Sequence, residues 1–127
     1  MSYVTWEYYS SLFAKVTKDE FDRLAEQAEK RVNIFTRGRV EQFMKSYDAE
    51  DATEFHHQVY DSVLFTVCEV VNKLQLQETS GAGSGLSSVS NDGYSESYKV
   101  TTESERQAEL DAVIRLGLSG TGLAGAL

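Results

Sequence analysis

The chain has 127 residues, 20 acidic against 12 basic, with a formal charge of −8, a length that allows one domain with a modest core. The charge argues against a general nucleic-acid binder, which needs a positive surface to displace counterions from phosphate. Simple solubility accounts for it first, and a channel wall along which DNA slides without sticking is the second reading. No apolar run approaches the roughly 18 residues that would span a bilayer, and Met1–Glu7 lacks the basic and apolar regions of a signal peptide.

The first predicted element is a short helix, Trp6–Phe13, capped by Thr5, with Trp6, Tyr9 and Phe13 on one face. Thr17-Lys18-Asp19-Glu20 is a capping box, in which Thr17 accepts from a backbone donor and Glu20 reaches back. Phe21, Leu24, Ala25, Ala28, Val32 and Phe35 follow as one apolar stripe. The stripe stops at Thr36-Arg37-Gly38, where glycine supplies the break.

Val40, Phe43, Met44 and Tyr47 predict a further helical piece that ends in the acidic loop Asp48-Ala49-Glu50-Asp51. The longest helix is expected from about Ala52 to Leu76, with Phe55, Val59, Val63, Val67, Val70 or Val71, and Leu74 on its core face. Its run Val63–Val71 is β-branched enough to suggest a strand, but the flanking period and the length are helical. Cys68 lies in this run as a small core residue. A single cysteine excludes an internal disulfide and fits a reducing compartment.

Gly81-Ala82-Gly83-Ser84-Gly85 reads as a flexible tether, since it lacks the lysine and hydroxyl pair of a phosphate loop and no strand precedes it. Leu86–Asn91 and Tyr94–Val100 alternate polar and apolar residues around the turn signal Asn91-Asp92-Gly93, which predicts a β-hairpin. An isolated hairpin is marginal in water, so the arm is expected to lean on a neighbour. The last helix begins near Thr102 or Ser104 and carries Ala108, Leu110, Val113, Ile114 and Leu116. The end, Gly117–Leu127, is too rich in glycine for a helix and too apolar for an ordinary disordered tail.

The fold class expected is therefore mainly α: a small helical bundle around one long central helix, with a protruding β-hairpin arm and an extended C-terminal tail. Residues 1–78 would form the helical bundle and 79–101 the tether and arm. Residues 102–116 would add the bundle's C-terminal helix, and 117–127 a docking tail.

Catalytic chemistry is sparse. His56-His57 with Asp61 could bring an imidazole and a carboxylate one turn apart, but neighbouring histidines on a helix diverge by about 100° and a metal needs three or four convergent ligands. No catalytic, cofactor or metal residues are assigned, and an enzyme is not expected. Lys30, Arg31, Arg37 and Arg39 fall in a ten-residue stretch without an acid. They are candidate charged contacts with an acidic neighbour or with DNA phosphates, though basic residues also suit a helix C-terminus.

The order Tyr3-Val4-Thr5-Trp6-Glu7-Tyr8-Tyr9, Phe35-Thr36-Arg37-Gly38-Arg39, Val67-Cys68-Glu69-Val70, Ser87–Ser95 and Leu118-Ser119-Gly120-Thr121-Gly122-Leu123 spans nearly the whole chain. In it the chain resembles the small head–tail connector (adaptor) proteins of long-tailed bacteriophages. The resemblance implies a structural virion protein, assembled in the host cytoplasm and placed in the neck of the particle. It would form a ring, commonly of twelve, beneath the portal protein, extend the DNA channel and offer a platform to the next connector or tail protein. It implies no cofactor and no membrane partner, and DNA that passes through without sequence-specific binding.

On that reading Gly117, Leu118, Gly120, Thr121, Gly122, Leu123 and Leu127 would meet the portal or a neighbour. Val89, Asn91, Asp92, Gly93, Tyr94, Tyr98 and Val100 would make the arm's contacts with the adjacent subunit or the passage. The sequence departs from the family pattern at Ala124-Gly125-Ala126-Leu127, which lacks the aromatic and basic residues often found there. A tail-completion protein, or a small non-viral adaptor with a single protein partner, would fit the same composition.

Overall fold

The computed structural model describes residues 3–79 and 103–124. Within them the chain forms five helices: α1 (Trp6–Leu12), α2 (Lys18–Phe35), α3 (Arg39–Ser46), α4 (Glu54–Thr79) and α5 (Glu103–Gly117). No strand occurs among the described residues, which corrects the expected class from a bundle with a β-hairpin arm to all-α. A two-stranded ribbon is by itself marginal in water. Residues 86–100, where the hairpin was expected, lie outside the described residues.

Both predicted N-caps form. Thr5 Oγ1 accepts from the Tyr8 amide at 3.1 Å, and Thr17 Oγ1 accepts from the Glu20 amide at 3.4 Å. The predicted stripe of α2 is buried at Phe21, Leu24, Ala25, Ala28 and Val32, with Phe35 half-buried. Its exit differs in detail from the glycine break expected. The Gly38 amide donates to Asn33 O at 2.9 Å and the Arg37 amide to Ile34 O at 3.1 Å, the bond pair of a Schellman stop. Arg37, at φ +55°, takes the left-handed position that usually falls to glycine, and Gly38 follows at φ +83°.

Helix α4 is the centre. At 26 residues it is about 39 Å long, and α2 and α5 pack on it. Val63, Val67, Cys68, Val70 and Val71 are fully buried, so its middle is apolar on nearly every side. The β-branched residues cost a few tenths of a kcal/mol each in helix propensity. Burial of each contributes about 1.5–3 kcal/mol and decides the conformation. The expected core face needs one correction: Phe55, on the first turn, is half exposed.

The chain before α1 is tied down by Glu29. Its Oε2 accepts from the Tyr3 amide at 2.6 Å and the Val4 amide at 3.3 Å. Tyr9 is buried among Trp6, Phe13 and Phe21 at centroid separations of 5.2–5.8 Å. Its hydroxyl donates to Asn72 Oδ1 on α4 at 2.5 Å.

Helix α5 buries Leu110 and Ile114, whereas Ala108 and Leu116 are exposed. Beyond it the extended-tail expectation is overturned as far as residue 124. The Thr121 amide bonds Leu118 O at 3.1 Å, and the Leu123 amide bonds Thr121 Oγ1 at 3.1 Å. Gly120 and Gly122 supply the positive φ, +84° and +80°, that these tight turns need. Leu118 is buried, and Leu123 and Ala124 pack on the core. The apolar residues of this tail have the bundle's own surface within reach.

Candidate functional site

The residues expected to contact a portal or neighbour fall into three groups. Leu118 is in the core, and Leu123 leans on it with its carbonyl held by Arg39 Nε at 3.0 Å. Gly117 faces Thr66 on α4. Gly120 is exposed, as is Gly122, and Thr121 is half-buried. Leu127 lies outside the described residues, as do Val89, Asn91, Asp92, Gly93, Tyr94, Tyr98 and Val100. Through Ala124 the tail is thus a folded cap on the bundle.

The basic cluster is divided by the fold. Arg31 turns to α5 and donates from Nη2 and Nε to Asp111 Oδ1 at 2.6 and 3.2 Å. Arg39 is taken up by Leu123 O. Lys30 and Arg37 are exposed and make no ion pair with any described residue. Between them on the outward side of α2 stands Ile34, 58% exposed. Lys30 and Ile34, four residues apart, share one face of α2, and Arg37 follows just past the helix end, in the left-handed position.

The two histidines serve the corner between α3 and α4. Tyr47 Oη and His57 Nδ1 lie 2.7 Å apart, Tyr47 stacks on Tyr60 with centroids 4.2 Å apart, and His56 meets the edge of Phe43. Among the described residues no group of three or more His, Cys, Asp or Glu side chains could hold a metal ion. Cys68 is fully buried, and burial pushes its thiol up to about 12.

A feature that the sequence reading did not single out is an open groove along the outer face of α4. One part, of about 500 Å³, is lined by Leu12, Asp61, Phe65 and Gly117 among others. The other, of about 340 Å³, is lined by Lys15, Glu69, Leu76, Val113 and Leu116 among others. Phe65 and Glu69, one turn apart on α4, line one part each, as do the consecutive Gly117 and Leu116 on α5. Of the six large apolar side chains exposed among the described residues, Leu12, Phe65, Leu76 and Leu116 lie here, and Leu116 is 79% exposed.

Asp61 and Glu69 flank Phe65 at i−4 and i+4, which gives a stripe acid–apolar–acid on the groove floor. Neither carboxylate is in an ion pair with a described residue, whereas Lys73 at the rim lies 3.8 Å from Glu109. In the sequence Leu116 stands among the apolar residues of the last helix with nothing to mark it as outward-facing. The signal that could have found the groove is the Asp61-Phe65-Glu69 spacing itself, which reads as a solvent face interrupted by one aromatic residue.

No family model, curated protein or solved structure matches this chain.

Proposed function

We propose that the chain is a structural virion protein, a head–tail connector subunit that forms a ring under the portal of a long-tailed bacteriophage, extends the DNA channel and joins capsid to tail. The resemblance in motif order gives this reading its content. The observation that carries the assembly part is the apolar groove on α4. A small bundle that leaves Leu12, Phe65, Leu76 and Leu116 on one face has surface to bury against another molecule.

A second observation supports the same reading. α4 and α5 run antiparallel side by side, with Gln77 Nε2 3.2 Å from Arg106 O. Antiparallel neighbours need only about 2–8 connecting residues, and residues 80–102 are 23 in number. That surplus is length the bundle has no need of, and a ring subunit has use for it. The net charge of −8 suits a passage through which DNA must move freely.

The test is a native mass spectrum of the purified chain at several concentrations, with and without the portal protein of the same virus. Masses near a dozen copies, alone or on the portal, are expected. A monomer or dimer that ignores the portal would remove the connector reading and leave an adaptor with a single partner. A ring that binds tail proteins but not the portal would instead make it a tail-completion protein.

A further inference from the structure

We infer that the groove on α4 receives the outward side of α2 from a second copy of this chain, with Ile34 seated beside Phe65 and with Lys30 and Arg37 facing Asp61 and Glu69. The inference deepens the ring reading above and rests on it.

The two stripes have the same grammar with opposite charge. At the C-terminal end of α2 an exposed isoleucine stands between Lys30 on the helix and Arg37 in the turn that follows it; on α4 an exposed phenylalanine stands between Asp61 and Glu69. Residues four apart on a helix are separated by about 6 Å along its axis, so Lys30 stands from Ile34 at the same offset as Asp61 and Glu69 from Phe65, while Arg37 lies in the turn past the end of α2. All four charged groups lack an ion-pair partner among the described residues, in a molecule where Arg23, Arg31, Lys45 and Arg106 each have one. Leu12 and Leu116 supply further apolar lining to receive Ile34. Lys15, at the rim, is the one cation against this pattern that is not itself in an ion pair.

The stripes lie on different faces of the molecule, since one belongs to the outer side of α2 and the other to the outer side of α4. A contact between unlike patches is heterologous, and its repetition closes into a ring or runs on as a filament. A symmetric dimer is therefore not the product. Charge pairs of this kind set orientation and partner choice, while the apolar centre supplies most of the affinity. Contact should accordingly weaken as salt rises.

The test uses the full chain with Ile34→Cys and Phe65→Cys together, oxidised at the highest concentration the chain tolerates. Buried Cys68 does not compete. A ladder of disulfide-linked multimers is expected, and neither single variant should extend beyond a dimer. Lys30→Glu with Arg37→Glu should abolish the ladder, as should Asp61→Lys with Glu69→Lys.

Mixing those two charge variants should restore it, because each then meets a complementary partner at both faces. All four reversals in one chain should restore it too. Circular dichroism on every variant excludes unfolding as the cause of a loss. Absence of a ladder, or a ladder indifferent to the charge reversals, overturns the inference.

The ring reading fails separately. If portal-bound rings form from the Lys30→Glu/Arg37→Glu chain, the contact is wrong and the ring stands. If the ladder forms but the portal is ignored, the contact stands and the connector reading falls.

Discussion

Gly117 lies so close to Thr66 that a Cβ on the glycine would overlap Thr66 Oγ1 and come within 3.0 Å of Thr66 Cβ and Cγ2. The last turn of α5 can approach α4 this closely only because residue 117 has no side chain. Thr66 is fully buried there, and its hydroxyl has no hydrogen-bond partner among the described residues. A glycine that read as the start of a loose tail is thus a packing residue between two helices.

Gly117→Ala should destabilise the chain by about 1–3 kcal/mol, the usual cost of overpacking, despite the better helix propensity of alanine. Urea unfolding followed by circular dichroism measures it. Thr66→Ala in the same chain should recover most of the loss, since it removes the atoms the new methyl meets. A Gly117→Ala chain as stable as the parent would show that the helices separate at little cost.

Arg37→Gly should stabilise the dilute chain by about 1 kcal/mol. The arginine sits at φ +55°, where a Cβ is penalised by roughly 1–2 kcal/mol, and glycine gives back part of that through its freer unfolded chain. The midpoint of thermal unfolding should rise. A fall would mean that the exposed guanidinium makes a contact worth more than the strain.

Cys68 should be inert to thiol reagents in the folded chain and react only on unfolding. It is fully buried, and burial pushes its thiol up to about 12, so almost no thiolate exists near neutrality. The rate of reaction with an aromatic disulfide, measured with and without urea, checks it. Fast reaction in native buffer would place the Val67–Val71 stretch of α4 nearer solvent than it lies here.

Stability should fall in acid partly through Glu78. Its hydrogen bond to Arg23, at 2.7 Å, holds the carboxyl below its ordinary value of 4.5. A carboxylate with a lowered folded value contributes stability above its unfolded value, and that contribution disappears as pH falls through the folded value. Both partners are about half exposed, so the effect is small and salt-sensitive. Thermal melts of the parent and of Glu78→Gln should differ above pH 4.5 and converge below it; a constant difference across that range would rule the pair out as the cause.

The helices were legible in the sequence because their signals are local. Thr5 and Thr17 cap helices through bonds to amides three residues on, and the α2 stripe repeats at the helical period. The charged contacts were legible only in part. Lys30, Arg31, Arg37 and Arg39 are adjacent in sequence, yet Arg31 meets Asp111 and Arg39 meets Leu123 across 80 and 84 residues. No local rule could say which two would remain outside.

What the amino-acid order settled alone was the helical class of the bundle, the caps and the central place of α4, since periodicity and capping act within a few residues. Tertiary structure decided the rest. It turned Leu118 inward and Leu116 outward, folded the glycine-rich end onto the core, and opened the groove between Leu12, Phe65 and Leu116. Those outcomes depend on which helix faces find partners, and that is fixed by contacts between residues far apart in the chain.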